Sequence, residues 1–450
     1  MVKRKKLLMV TPATPNPLGG GTSIRAAMLL ESAAAHFDVF VIVALLEKPG
    51  APALAERPSR FLRERAVRVE AIPLLAQQDP SIDQLVEFRD GSMSPEAVVA
   101  FFQNRMKLAR ARQTTEDDFL FEPFICALTL RYLKRVHYRP FADIDFDAVL
   151  TISTQLMPFA FGYLEATDRP RCIVDLNDID STRHRRFSKL HHLNHSAALA
   201  ATAADEAERL ERFERMHLPR FDLVLTCSIV DRDEVAARIG IRNIEIAPNA
   251  IPEPTIGDHP QGVPVTDFLF VGTLGYFPNA DAITYFCREI LPRIAERLGR
   301  PPTFRIIGRD VPAPLRRFEL IPGVTICSDV EELAPHYASA HACVIPLRAG
   351  SGTRLKALEA FGYSKPVVST SMGIEGIDAI GGEHLLIVDD AEGFTDACCR
   401  ILADLPLSRR LGKQACELVR SRYTFSKVCP MVGDIIAASQ RAVDAQASLR

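Results

Sequence analysis

The sequence lacks an apolar run long enough to cross a membrane. A transmembrane helix needs about 20 consecutive apolar residues, and no run approaching that length occurs among the 450 residues. The basic head Met1 to Lys6 precedes Leu7 to Val10, but this run is too short for a signal peptide and stops before Pro12. We therefore expect a globular, cytoplasmic protein. The basic head also predicts a weak attraction to an anionic lipid surface, which would place the chain at the inner face of the membrane.

The chain also lacks an excess of charge of either sign. It carries 54 Lys and Arg against 56 Asp and Glu, which gives a net charge of −2. A nucleic-acid binder needs a basic surface, so this class of protein is excluded. With 47% hydrophobic residues, a chain of this length has enough apolar side chains to form the cores of two or three domains.

Cysteine pairs at metal-ligand spacing are missing. The ten cysteines are scattered, and the adjacent Cys398 and Cys399 suit a helix in which they act as small hydrophobic residues. Asp143, Asp145 and Asp147 have a spacing that suits a divalent metal, but they lead directly into a β-branched run, so we favour a solvated loop. The sequence predicts no metal site, and the cysteine usage fits a reducing compartment.

A complete dinucleotide-binding fingerprint is absent as well. The run Gly19 to Gly21 precedes a helix, as a phosphate-binding loop does, but Ile24 stands where the third glycine of the pattern would fall. A tight turn and a phosphate-binding loop both remain open for this segment. We predict no bound cofactor.

Apolar, β-branched runs alternate with segments of helical periodicity along most of the chain. The predicted strands are 6–10, 39–45, 67–74, 148–152, 172–176, 222–227, 244–247, 268–271, 303–307, 324–327, 343–345 and 367–370. The main predicted helices are 23–36, 189–217, 228–240, 280–298, 330–339, 354–362 and 426–447. This alternation indicates parallel sheets with helices on both faces. We expect an α/β protein of two Rossmann-like, doubly wound domains that face a cleft.

A Pro- and Gly-rich segment of low apolar content, 251–266, marks the predicted domain boundary. It divides an N-terminal domain, 1–250, from a C-terminal domain, 267–425. Between 57 and 137, strand character is lost after 67–74 and helical character dominates. The sequence gives no means of decoding what this segment binds.

The stretch Val344 to Thr370 holds the densest group of candidate binding residues. It is predicted to form a strand, a small-residue loop and a helix, and its loop, 349–353, offers backbone N–H groups and glycines at a helix N-terminus, where phosphate binds well. On the helix, Lys356, Glu359 and Tyr363 share one face. The apolar residues of the opposite face are Leu355, Leu358 and Phe361. A carboxylate at 359 is placed to accept hydrogen bonds from sugar hydroxyls.

A polar cluster follows another predicted strand. Asp178, Asp180, Ser181, Arg183 and His184 come after 172–176, at the carboxyl end of that strand, which is the edge where ligands bind in open α/β sheets. A catalytic role for Asp178 and simple capping of the next helix both remain open.

Several of these segments resemble one enzyme family. The stretch 350–370, GSGTRLKALEAFGYSKPVVST, is similar to the donor-site motif of family 4 (group 1) glycosyltransferases of the GT-B fold, in the branch that reads Gly-Thr-Arg-Leu-Lys-x-x-Glu-Ala. Further segments with the same resemblance are 247–250, 270–274, 278–279, 373–376 and 382–386. The similarity is specific from about 268 to 423 and loose before that.

The resemblance implies transfer of a sugar from a nucleotide-diphosphate donor to an acceptor glycan, lipid-linked glycan or small molecule. It implies retention of the anomeric configuration and no need for a divalent ion. The first domain would lie on the acceptor side and the second would bind the donor, while helix 426–447 would pack back on the first domain. Envelope or exopolysaccharide synthesis is the expected setting.

The positions of the candidate residues, taken together with this resemblance, give them their expected roles. The predicted catalytic residues are Arg354, Lys356 and Asp178, the first two as stabilisers of the departing diphosphate. The predicted donor-binding residues are Gly20, Gly21, Gly272, Thr273, Val330, Gly350, Ser351, Gly352, Thr353 and Glu359. In this set Glu359 holds the ribose, and the backbone around Asp329 and Val330 holds the base. Arg25 is a further candidate for contact with the diphosphate or the acceptor.

Two positions depart from the family pattern. Ser351 stands where the first of two family glutamates is expected, and Thr273 with Pro278 and Asn279 replaces a loop that commonly carries Arg and Lys. The donor sugar therefore stays open. The departures leave a catalytically silent binding or scaffold subunit as one alternative, and a nucleotide-sugar epimerase, which shares the architecture, is another.

Overall fold

The structure is a computed structural model that describes residues 4–45, 59–73, 141, 143–253, 264–328, 330–352 and 354–438. Within these ranges the chain divides into two compact units. Unit 1 holds the described residues up to Asn249 together with those from Ser426 onward, and unit 2 holds Ala250–Phe425. The predicted helical segment that follows β3 lies largely outside the described residues.

Unit 1 is built on a seven-stranded sheet in which every pair is parallel, in the order β3-β2-β1-β4-β5-β6-β7. Its strands are β1 Lys5–Thr11, β2 Phe37–Leu45, β3 Ala66–Pro73, β4 Ala148–Ile152, β5 Arg171–Asp175, β6 Leu223–Thr226 and β7 Ile244–Ile246. The central strands are buried on both faces, as the continuous apolar runs predicted. The switch in strand order lies between β1 and β4, the usual position of a ligand site in a doubly wound sheet.

The helices of unit 1 cover both faces of this sheet. They are α1 Gly21–Ala34, α2 Arg60–Arg65, α3 Pro158–Leu164, α4 Asp180–Leu193, α5 Ala197–His217 and α6 Ile229–Ile239. The single helix predicted for 189–217 is wrong, because α4 and α5 form a helical hairpin. The chain reverses at His195, which adopts a left-handed φ of 57° without a glycine to signal it.

One more helix, α15 Phe425–Ala437, lies almost wholly in unit 1 although it follows unit 2 in sequence. Its residue Gly433 packs against α1 so closely that a Cβ there would stand 2.6 Å from the Ser32 carbonyl oxygen. Arg171 at the start of β5 donates from Nη1 to the carbonyls of Ile436 and Ala438, at 2.7 and 2.6 Å. These bonds satisfy carbonyls that a helix end leaves open.

Unit 2 has a second all-parallel sheet, with six strands in the order β10-β9-β8-β11-β12-β13. Its strands are β8 Thr266–Val271, β9 Phe304–Gly308, β10 Val324–Ser328, β11 Ala340–Ile345, β12 Val367–Ser369 and β13 Leu386–Ile387. Its α-helices are α7 Phe277–Tyr285, α8 Leu291–Leu298, α9 Ala313–Arg316, α10 Ala334–Ser339, α11 Leu355–Gly362, α12 Ser371–Ile374, α13 Ala391–Ala403 and α14 Leu405–Arg422. A π-helical segment, Phe286–Ile290, joins α7 to α8.

The predicted fold class is confirmed, with two α/β units that each contain a parallel sheet. Most strand bounds agree with the prediction to within one or two residues, while α10 begins four residues after its predicted start. In the described part of the chain, no helix combines the length and apolar character that a membrane crossing requires.

Candidate functional site

The stretch singled out in the sequence forms β11, a loop and α11, as predicted. Leu358 and Phe361 are fully buried in the core of unit 2, whereas Lys356 and Glu359 lie on the other side and are only partly buried. Three-residue and four-residue spacings on a helix produce this division. The polar face of α11 therefore carries one cation and one carboxylate, and the opposite face is buried in the core.

The loop before α11 is shaped by two glycines in left-handed conformations. Gly350 has a φ of 135° and Gly352 a φ of 70°, values that residues with a Cβ rarely adopt. Ser351, between them, is buried at 6% exposure. Thr353, the fourth predicted member of this loop, lies outside the described residues.

Arg354 binds the loop itself. Its guanidinium donates to the carbonyls of Ser351, Gly352 and Met372, at 2.8 Å for Gly352 and 3.2 Å for Met372, and the side chain is 8% exposed. The positive charge therefore lies directly behind the loop. In this position Arg354 fixes the loop carbonyls and adds to the positive potential at the start of α11.

Lys356 crosses from α11 to the turn after β8. Its Nζ donates to Asn279 Oδ1 at 2.5 Å and lies 4.2 Å from the centre of the Phe270 ring. The pKa of Lys356 is lowered to about 7, mainly by burial and also by the neighbouring Arg354, while Glu359 acts in the opposite direction. Among the described residues, the charged groups that act on this ammonium are Arg354 and Glu359, one of each sign.

Glu359 is held by a tyrosine from the neighbouring helix. Tyr337 on α10 donates its hydroxyl to Glu359 Oε2 at 3.3 Å, and its ring stacks on Tyr363 with 4.6 Å between centroids. Burial raises the pKa of Glu359 to about 7, while the Tyr337 hydrogen bond and Lys356 lower it. Two groups of opposite charge therefore both titrate near neutral pH on one helical face.

The turn after β8 packs directly against the end of β9, and no side chain fits between Gly272 and Gly308. A Cβ on Gly308 would stand 1.8 Å from the Gly272 carbonyl oxygen, so only glycine fits there. Thr273, next to Gly272, is exposed, and its carbonyl accepts a hydrogen bond from Asn279 Nδ2 at 2.8 Å. Gly272 and Thr273 therefore lie next to Lys356.

A bidentate ion pair supports the other side of the loop. Arg348 donates from Nε and Nη2 to the two oxygens of Asp281 on α7, at 2.9 and 2.6 Å, and its guanidinium lies 4.7 Å from the centre of the Tyr285 ring. Bidentate pairs of this kind fix geometry as well as charge. The pair ties the segment before Gly350 to α7.

The remaining predicted donor-binding residue of unit 2, Val330, lies after β10 and packs partly buried against the core. Its neighbour Asp329 lies outside the described residues. No contact joins Val330 to Lys356 or Glu359 in the hydrogen bonds and ion pairs of the described chain.

The candidates of unit 1 lie at the carboxyl ends of its strands. Gly20 is the N-cap of α1 and Gly21 is its first residue. Asp178 follows β5, and its carboxylate accepts from Arg183 Nη1 at 3.1 Å. Arg25 is fully buried and forms an ion pair with the carboxylate of Asp175. Its charge is therefore neutralised within unit 1, and the side chain is not exposed to a ligand.

Two residues of the site in unit 2 were given no role by the sequence. Asn279 was noted only for its resemblance to the family, and Tyr337 was not considered. Each contacts α11 from another part of the chain, at a sequence separation of 77 for Asn279 and Lys356 and of 22 for Tyr337 and Glu359. The hydrophobic pattern places the helices, but it does not pair individual side chains across them.

One family comparison covers most of unit 2. Residues 266–404, which include every element described above for unit 2 up to α13, match the family model described as Glycosyl transferases group 1. The match therefore covers most of unit 2, and the predicted enzyme class, a glycosyltransferase, is confirmed. The comparison with curated proteins gives no significant match.

Solved structures with the same GT-B fold extend the comparison to the whole chain. Sucrose-phosphate synthase from Thermosynechococcus elongatus aligns with a TM-score of 0.65 at 18% identity, over 98% of this chain and 100% of that one. HepE from Anabaena, in complex with UDP-glucose, gives 0.59 at 12% identity over 96% and 99%. S. aureus TarM, in complex with UDP, fondaparinux and α-GlcNAc-glycerol, gives 0.60 at 11% identity over 96% and 100%. At these identities the likeness establishes the fold.

Proposed function

We propose that this protein transfers a sugar from a nucleotide-diphosphate donor to a glycan, a lipid-linked glycan or a small-molecule acceptor. The observation that carries the proposal is the polar face of α11. A loop with two left-handed glycines leads into this helix, which carries the Lys356 ammonium and the Glu359 carboxylate on one face. The helix lies in the segment that matches the group 1 glycosyltransferase model. UDP is the first nucleotide to test, because HepE and TarM were each solved with it.

The chemistry of the transfer fits these groups. Breaking a sugar–diphosphate bond develops negative charge on the departing phosphate, which fixed donors and cations stabilise. In our proposal the loop Gly350 to Thr353 and the turn at Gly272 and Thr273 hold the diphosphate. Lys356 and Arg354 supply positive charge without a metal ion, and Glu359 holds the ribose. The backbone near Val330 holds the base.

Unit 1 is proposed to take the acceptor, with Asp178 as a catalytic residue at the carboxyl edge of its sheet. Gly20 and Gly21 are proposed to contribute to donor binding. We further propose that the transfer retains the anomeric configuration and serves envelope or exopolysaccharide synthesis at the inner face of the membrane. The basic segment at the N-terminus supports a weak attraction to anionic lipids.

The test is release of nucleoside diphosphate from a panel of nucleotide sugars, with and without an acceptor extract. Acceptor-dependent release that persists in a chelator is the expected result. Binding without release under any acceptor would instead support the silent binding subunit, and loss of release with chelator would overturn the metal-independent mechanism. Thermal-shift measurements over the same panel identify the base and the sugar.

A further inference from the structure

Lys356 and the turn after β8 are joined by one amide side chain. Asn279, in the first turn of α7, accepts a hydrogen bond from Lys356 Nζ on Oδ1 at 2.5 Å and donates from Nδ2 to the Thr273 carbonyl at 2.8 Å. The side chain is 6% exposed, so water does not replace either bond easily. Both ends of the amide are therefore used, and its orientation is fixed by the two partners.

The space around the ammonium is closed on two further sides. The Phe270 ring centre lies 4.2 Å from Nζ, in the geometry of a cation–π contact. A Cβ on Gly272 would stand 2.8 Å from Asn279 Nδ2 and 3.0 Å from Lys356 Nζ, so the glycine allows the backbone to approach both groups. The charged groups that act on Lys356 are Arg354 and Glu359 of its own segment, whereas Asn279 and Phe270, which reach it from other elements, are uncharged.

We propose that Asn279 is a positioning residue of the diphosphate site, which holds the Lys356 ammonium beside Gly272 and Thr273 while leaving its charge available to an anion. The proposal deepens the proposed function and rests on it. An amide orients an ammonium through one neutral hydrogen bond, whereas a carboxylate at the same place would neutralise it. Because the Asn279 amide is neutral, it positions the Lys356 ammonium without neutralising it, so a bound diphosphate can supply the negative charge.

The decisive measurement is the pH dependence of Lys356 acylation in the ligand-free protein, followed by mass spectrometry of the peptide that contains it. In Asn279→Asp a carboxylate faces Nζ, and we expect the midpoint of acylation to rise by about one pH unit or more. In Asn279→Ser the amide is removed without adding charge, and the midpoint should fall. Lys365, whose Nζ donates to the carbonyls of Ala338 and Ala340 at 3.0 and 2.9 Å, is the internal control and should not change.

A midpoint for Lys356 that is the same in both variants as in the unchanged protein overturns the proposal. So does an equal shift at Lys356 and Lys365, because that indicates a general loosening of unit 2. If one variant does not fold, as judged by its thermal unfolding, the other decides, since the two are expected to shift the midpoint in opposite directions.

Binding of nucleotide sugar provides the second readout. Asn279→Asp should weaken binding by about tenfold or more, because the neutralised ammonium no longer attracts the diphosphate, and Asn279→Ser should weaken it less. Should the unchanged protein bind no nucleotide sugar at all, the proposed function fails. The acylation midpoints still decide whether Asn279 controls Lys356, so the two failures are distinguishable.

Discussion

Glu359 occupies a position that stabilisation of the fold alone does not explain. A partly buried carboxylate with one tyrosine hydroxyl as its described hydrogen-bond partner costs free energy to ionise, as its raised pKa reflects. A ligand that donates hydroxyl groups would offset that cost. This cost is consistent with the ribose-binding role that we propose for Glu359.

Replacing Glu359 with Ala should weaken nucleotide binding while unit 2 remains folded. The loss should be about 1.5 to 3 kcal/mol, the usual contribution of hydrogen bonds to a charged group, or more than tenfold in Kd. Calorimetric titration measures it, and Glu296→Ala, an exposed glutamate on α8, is the matched control. Normal affinity in Glu359→Ala would remove this residue from the site.

Lys356 should make binding of a nucleotide sugar dependent on pH. Its pKa of about 7 lies below that of an ordinary lysine, so it is charged below pH 7 and becomes neutral above it. If only the ammonium attracts the diphosphate, affinity should fall by up to about tenfold per pH unit between pH 7 and 9. A nucleotide sugar is the right probe, because its diphosphate does not titrate in this range.

Lys356→Arg supplies the control for this pH dependence. A guanidinium stays charged throughout the range, so the affinity of this variant should be nearly flat between pH 7 and 9. A flat profile in the unchanged protein, or the same slope in both, would show that Lys356 does not control binding.

At the scale of single elements, the approach of the turns after β8 and β9 leaves no space at Gly308. Gly308→Ala forces a Cβ against the Gly272 carbonyl, so we expect the free energy of unfolding to fall by about 3 kcal/mol, the upper end of the usual cost of overpacking. Nucleotide binding should fall with it, because the Gly272 turn must move. Gly162→Ala in α3, where a Cβ meets nothing within 4 Å, should instead be neutral or stabilise the fold. Thermal unfolding of the two variants makes the comparison.

Glu214 gives the α4–α5 hairpin a pH-dependent stability. The carboxylate is 1% exposed and accepts from the Ser181 backbone N–H at 3.1 Å and from the Ser181 hydroxyl at 2.5 Å, and burial raises its pKa to about 7. The folded protein therefore binds a proton that the unfolded chain releases above pH 4.5. Its contribution to stability is fully present below that pH and is lost as the pH rises to about 7.

Glu214→Gln should remove that loss, which is on the order of 3 kcal/mol at most. The measurement is the difference in thermal unfolding midpoint between the variant and the unchanged protein, from pH 5 to 7.5. Glu211→Gln, one turn earlier on α5, removes a carboxylate that is paired with Arg185 and Arg215, so it should destabilise the protein most at neutral pH. Parallel pH curves for the unchanged protein and Glu214→Gln would contradict this account.

The sequence predicted elements well wherever one apolar pattern decided the outcome. β4 was predicted at its exact bounds, because a continuous apolar run of this length is typical of a strand that is buried on both faces of a parallel sheet. The break at His195 was missed, because it depends on a left-handed residue stabilised by the packing of α4 on α5. The shared face of Lys356 and Glu359 on α11 was predicted, because helical spacing suffices for it. Their contacts with Asn279 and Tyr337 were not predicted, because those pairs form only when the helices pack around the sheet.

At the scale of the whole molecule, unit 1 is made from two separate parts of the chain. The first part runs to Asn249 and the second begins at Ser426, with unit 2 between them. Inside unit 2 the entering and leaving segments pair, since Ile251 N donates to Tyr423 O and Phe425 N to Ile251 O, both at 2.9 Å. The returning helix α15 then contributes buried residues to unit 1, among them Val428, Val432 and Ile436.

Ending the chain after Phe425 should therefore destabilise unit 1 and leave unit 2 intact. We expect amide hydrogens of α1 to lose protection from exchange, because its packing against Gly433 is gone, while those of α8 keep theirs. A chain that ends after Ala438 retains α15 and the bonds of Arg171, so its α1 should be protected as before. Equal protection of α1 in both shortened chains would show that α15 is dispensable.

The late return of α15 also has a consequence during translation. A ribosome that has finished the first seven strands must still synthesise all of unit 2 before the helix that covers α1 emerges, which takes on the order of ten seconds or more at ordinary rates. Throughout that interval the nascent chain exposes the apolar patch that Val428, Val432 and Ile436 later cover. Chaperones that recognise exposed apolar segments would find their target here, at the earliest-made part of the polypeptide.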